Sequence, residues 1–164
     1  MHTCIIMNKS GYRTNIRKLA VDTAQANEKS CYISLKDPYN IVIEMLERAE
    51  IEEEKFVVVE ANDEASEIEN INSRTYVLPI EGLFNVYLFF RDLIKTEGIN
   101  HVIFDSLSVL IDNHSNLPVK SMMTNLMLEI GALKCSTSIV VLDNHANHDV
   151  VGHLSPLFAK NIYM

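Results

Sequence analysis

Short continuous apolar runs alternate along this chain with stretches whose apolar residues recur every three or four positions, and the alternation predicts strands and helices in turn. Thr3-Cys4-Ile5-Ile6-Met7 is the first run, of the kind required of a parallel strand covered on both faces. After a polar loop, Ile16, Leu19, Ala20 and Ala24 lie on one face of a helix predicted from about Asn15 to Asn27. Cys31-Tyr32-Ile33-Ser34-Leu35 is the second strand. Pro38 suits the first turn of the next helix, where its missing N–H costs nothing, and Ile41, Val42, Met45, Leu46 and Ala49 would face inward. The acidic run from Glu50 to Glu54 reads as a solvated helix end and loop.

Phe56-Val57-Val58-Val59 is a third strand and Thr75-Tyr76-Val77-Leu78 a fourth. Residues 60 to 74 between them are rich in Asn, Glu and Ser and read as a surface excursion with a helical turn. The segment 82 to 96 is helical by pattern, with Leu83, Val86, Tyr87, Phe90 and Ile94 on one face and a second apolar stripe of Phe84, Leu88 and Phe89. Such a helix is either enclosed in the interior or offers a partner-binding face. His101-Val102-Ile103-Phe104-Asp105 is a buried strand ending in a carboxylate. Pro118 opens a helix whose face is Val119, Met122, Leu126, Met127, Ile130 and Leu133, the methionines serving as core filler. Ser138 to Leu142 is the next strand, and Val150, Val151, Leu157 and Phe158 suffice for one short final strand. Strand and helix in repeated order call for an α/β fold of three α/β/α layers, with a mostly parallel central sheet and right-handed crossovers.

Composition adds bounds. With 164 residues, 48% apolar and 22% charged, the chain fits one globular domain over 1–164. Acidic residues outnumber basic ones, 22 to 14, and a net charge of −8 repels a phosphate backbone, which argues against nucleic acid as a partner. Cys4, Cys31 and Cys135 are an odd number and read as buried thiols rather than a disulfide framework. No apolar run approaches the ~18 residues of a membrane span and no secretory leader is visible, so a cytoplasmic location without membrane attachment is expected.

Tyr32-Ile33-Ser34-Leu35 followed by Lys36-Asp37-Pro38, and Val102-Ile103-Phe104-Asp105 followed by Ser106-Leu107-Ser108, resemble the KaiC branch of the RecA-like ATPases. The resemblance covers nearly the whole chain, as a shortened domain without the family's last strands. It implies a RecA/KaiC-like fold, ATP and magnesium as cofactors, a phosphate loop after the first strand, and Asp105 as the magnesium-side carboxylate of a Walker B strand. A working phosphate loop needs G, four residues, G, K, then S or T, so that backbone N–H groups and a lysine surround the phosphates. Those positions fall here on Asn8, then Lys9-Ser10-Gly11-Tyr12, then Arg13, Thr14 and Asn15. A one-residue slip puts Arg13 at the lysine and Thr14 at the hydroxyl position, with Tyr12 obstructing the turn. In either register triphosphate binding is expected to be weak or absent. Lys36 stands at the first position of the expected acidic pair, and Asp37, at the second, also reads as a helix N-terminal residue.

Asp143, His145, His148, Asp149 and His153 gather near the C-terminal edge of the predicted sheet, where His145, His148 and His153 would bind a divalent metal if the loop curled to converge them. Ser106 and Ser108 lack a nucleophile elbow. Asn8 and Lys9 stand where a receiver-type signalling domain carries acids. The leading expectation is a non-hydrolysing domain acting in regulation through a protein partner or self-association along helix 82–96. The alternatives are a weak ATP-binding protein or ATPase using Lys9, Ser10, Gly11, Tyr12, Arg13, Thr14 and Asp105, and a metal-binding protein.

Overall fold

Alternate residues of the central strands enter opposite faces of one sheet, because strand side chains have a period of two. Cys4, Ile6, Cys31, Ile33, Val57 and Val59 pack on one side, while Ile5, Met7, Tyr32, Phe56, Val58 and Ile103 pack on the other. The computed structural model describes residues 1–85 and 87–164, and side chains 84–87 lie outside that description.

The strands are β1 (His2–Met7), β2 (Ser30–Ser34), β3 (Phe56–Asn62), β4 (Glu69–Asn72), β5 (Thr75–Pro79), β6 (His101–Asp105), β7 (Ser136–Leu142) and β8 (Phe158–Tyr163). Their order in space is β4-β5-β3-β2-β6-β7-β1-β8, parallel throughout except for the antiparallel pair of β4 with β5. Helices α1 (Tyr12–Ala26) and α2 (Tyr39–Arg48) bury Ile16, Leu19, Val42 and Leu46 in the cluster on the Tyr32 face. Helices α3 (Gly82–Asn85), α4 (Tyr87–Glu97), α5 (Leu107–Asn113), α6 (Val119–Ala132) and α7 (Asp149–Leu154) serve the other face, through residues such as Leu83, Phe90, Leu110, Met127 and Leu154. The result is the expected α/β/α sandwich. Among the described residues no helix is long and apolar enough to cross a membrane.

Several local expectations change. Helix α1 begins at Tyr12, three residues before the predicted start at Asn15, and Pro38 sits just outside α2 as its N-cap. Residues 60 to 74 carry strand β4 rather than a helical turn, since the Asn62 side chain accepts the N–H groups of Glu64 and Ala65, and Asn72 accepts that of Arg74. The Asn62 bonds turn the backbone just after β3, and the Asn72 bond turns it at the end of β4, a strand with no buried residue. The helix predicted over 82–96 is described as α3 and α4, with Val86 outside the description. Leu107–Asn113 forms a helix that short periodicity could not announce. Val150 and Val151 lie in α7, not in a strand, because the His148 ring accepts the Val150 N–H and starts the helix. The final strand, β8, begins at Phe158 and pairs with β1.

Candidate functional site

The carboxylate at the end of β6 is delivered to the α1–α2 side of the sheet by strand parity. Tyr32 of β2 lies opposite Ile103 of β6 and Ser34 opposite Asp105, so Asp105, two residues beyond Ile103, shares the face of Tyr32. Helix α1 covers that face, and its first residue, Tyr12, is buried to 3% exposure.

Both phenols converge on one oxygen. The Tyr12 and Tyr32 hydroxyls each donate to Asp105 Oδ2, Tyr32 at 2.5 Å. Asp105 is wholly buried, and among the described residues neither its Oδ1 nor the neighbouring Ser106 Oγ has a hydrogen-bond partner. Burial pushes the Asp105 carboxyl above its ordinary range; the two phenol bonds and the nearby Lys36 ammonium act the other way. Burial and the Asp105 charge push both tyrosines up, so they remain neutral donors. The Lys36 ammonium caps the arrangement 3.3 Å from the Tyr12 ring centroid, a cation–π contact, and burial lowers its pKa.

The loop between β1 and α1 closes on itself. Asn8 Oδ1 accepts the Ser10 N–H at 2.8 Å and the Ser10 hydroxyl at 2.5 Å, while the Asn8 carbonyl accepts the Gly11 N–H at 3.1 Å. Two loop amides that would face an anion in an open phosphate loop are therefore engaged within the turn. Arg13 grips Asp37 with both terminal nitrogens, at 2.5 and 3.0 Å. The Asp37 amide is accepted by the Ser34 hydroxyl, which donates in turn to the Asp37 carbonyl, fixing the turn out of β2. Of the residues singled out in the sequence, Tyr12 and Asp105 thus meet directly. Lys9, Ser10 and Thr14 remain at the surface, and Gly11 is half-buried. Tyr32 was missed: it reads as an ordinary strand residue unless parity and the adjacency of β2 and β6 are known together.

The histidines after β7 are engaged separately. His145 Nε2 lies 2.9 Å from Asp112 Oδ1, and its buried Nδ1 has no partner among the described residues. His148 caps α7, and His153 is exposed on that helix. Among the described residues no group of three or more His, Cys, Asp or Glu is placed to hold a metal ion. On α4 the second apolar stripe divides: Phe89 turns inward against Tyr76 and Phe90, with ring centroids 5.3 Å apart in each pair, whereas Leu88 is 65% exposed. The Phe84 side chain lies outside the description. Leu128 of the neighbouring α6 is also exposed.

No protein-family profile matches the sequence, and comparison with curated proteins finds no match. Among solved structures the chain is similar to a KaiC-like protein from the hyperthermophilic archaeon Pyrococcus horikoshii, at a TM-score of 0.55 and 10% identity over 86% of this chain. The chain spans 60% of that protein's length. The strand order, the helices on both faces and this likeness together give the chain a RecA/KaiC-like fold.

Proposed function

We propose that this domain keeps the KaiC-like framework without hydrolysing nucleotide and acts in regulation through protein contacts. The observation that carries this reading is the pair of phenols on Asp105 Oδ2. Magnesium needs oxygen ligands in near-octahedral array and usually keeps several waters, whereas Asp105 is wholly buried and its Oδ2 is already shared by two donors. The phosphates would need loop amides and a cation. Two amides are engaged by Asn8, and Arg13 is held by Asp37. The residues present therefore do not fit Mg·ATP in this arrangement.

The exposed Leu88 on α4 and Leu128 on α6 support a contact surface on the side of the sheet opposite Asp105. A second copy of this chain is the occupant to test. Leu88→Asp and Leu128→Asp are expected to change stability by no more than about 0.5 kcal/mol, as exposed positions do, while weakening concentration-dependent self-association in sedimentation equilibrium. A wild-type chain that stays monomeric at every concentration argues against self-contact at this surface. Phosphate release from ATP with magnesium is expected to stay at the rate of buffer alone. Turnover that Asp105→Asn abolishes would overturn the reading.

A further inference from the structure

We propose that the cavity between α2, the start of β3 and the β4–β5 turn is a binding site for a free α-amino acid with an apolar side chain. It lies at the opposite end of the parallel strands from Asp105, since Phe56 opens β3 whereas Asp105 closes β6, and the inference is independent of the reading above.

The apolar wall comes from two neighbouring elements and the turn that joins them. Helix α2 stops at Arg48, and Glu50 enters the left-handed region at φ 56°, so that the Ile51 N–H donates to the Leu46 carbonyl at 3.2 Å and Ile51 packs against the α2-face cluster. Leu46, Phe56 and Val58 are buried in that cluster, and with Ile51 they line a cavity of about 340 Å³. At the ~30 Å³ that one water occupies in the liquid, such a space suits about ten non-hydrogen atoms, the scale of a single amino acid rather than a nucleotide.

Charges of both signs line the same cavity. Arg74 is fixed through its backbone: its N–H donates to Asn72 Oδ1 at 2.9 Å and its carbonyl accepts the Val58 N–H at 2.9 Å. Its guanidinium is left under-used. The nearest carboxylates are Glu53 at 3.5 Å and Glu54 at 4.0 Å, both longer than the ~2.7–2.9 Å of a charge-assisted hydrogen bond. Among the described residues its buried Nη1 has no hydrogen-bond partner. Glu47, Glu52 and Glu53 also line the cavity and are exposed. An anion alone meets three carboxylates here, and a cation alone leaves the guanidinium without an acceptor. An α-amino acid carries an ammonium and a carboxylate side by side, with the carboxylate matched to the guanidinium fork and the side chain to the apolar wall.

L-Leucine, L-isoleucine and L-phenylalanine are the probes for calorimetric titration at neutral pH. The controls are glycine and, for each probe, the amine lacking its carboxylate and the acid lacking its ammonium. At least one probe is expected to bind saturably and about tenfold more tightly than each of its controls, the difference one charge-assisted contact makes. Arg74→Gln, checked for fold by circular dichroism, should bind that amino acid no more tightly than it binds the matching amine, with affinity for the amine undiminished. Glu47→Gln/Glu52→Gln/Glu53→Gln, at exposed positions, should weaken the amino acid about tenfold without weakening the matching acid. If Arg74→Gln fails the fold check, the glutamate variant decides: weakening supports the site and unchanged affinity overturns it. Absence of saturable heat from all three amino acids at millimolar concentration overturns the site. A single-charge control that binds as tightly as its parent overturns the assignment to a zwitterion.

Discussion

Replacing Asp105 with alanine is expected to lower the free energy of unfolding by about 2–6 kcal/mol, because it orphans two buried phenols at about 1–3 kcal/mol each. Among the described residues the two hydroxyls have Asp105 and each other as partners, so the upper end of that range applies where neither takes up the other's bond. Asp105→Asn is expected to cost far less, since its amide oxygen accepts the same two donors and no charge is buried. The pH dependence follows from the sign of the shift. Burial raises the Asp105 carboxyl above its ordinary 3.8, so its stabilising contribution is complete below that value and is lost as pH rises through the folded pKa. Asp105→Asn should therefore gain on the wild type as pH increases over that window. Urea denaturation of the three proteins checks both points. An alanine variant more stable than the wild type would mean that the carboxylate is an uncompensated buried charge rather than the hub of the phenol pair.

Acidification from pH 7 to 4.5 is expected to cost the wild type about 2–3 kcal/mol through His101. Its ring is enclosed at the start of β6, 2.7 Å from the Ser136 hydroxyl and 3.0 Å from that of Ser138, and burial lowers its pKa from 6.5 to about 4. The unfolded chain takes up a proton below 6.5 while the folded chain refuses it until about 4, so stability present above 6.5 is lost as pH falls between those values. His2 is lowered too, chiefly by burial, and adds in the same direction. Asp105 acts in the opposite sense, so the clean readout is the difference between the wild type and His101→Asn. That difference should shrink by about 2–3 kcal/mol on acidification, and a difference independent of pH would contradict the burial of a neutral ring.

The hydrophobic pattern revealed the central strands because each is buried on both faces and so reads as an uninterrupted apolar run. The same logic hid β4, whose four residues are all exposed and which is followed by a turn that the Asn72 side chain fixes. Helix α5 has seven residues, too few to display a period. The β-branched pair Val150 and Val151 favours a strand locally, but the His148 cap and burial against the core place it in a helix. At the site, Tyr12 was legible as an obstruction in the loop and Asp105 as the terminus of a strand. Their hydrogen bond was not, since it joins residues 93 positions apart. Tyr32 enters only because β2 and β6 are neighbours, an adjacency that no local pattern encodes. Lys36 was visible as a lysine in an acidic position, while its place over the Tyr12 ring depends on how the turn after β2 folds.

KaiC-like architecture and nucleotide chemistry are separable properties, because a sheet is held by its two apolar faces and a phosphate site by a few loop amides and polar side chains. Here the sheet is intact, and the space beside its carboxylate is filled by the chain's own phenol. Titration of the wild-type protein with ATP and excess magnesium by calorimetry tests this most directly. Absence of saturable heat up to millimolar nucleotide is the predicted result; micromolar binding that disappears in Asp105→Ala would contradict it.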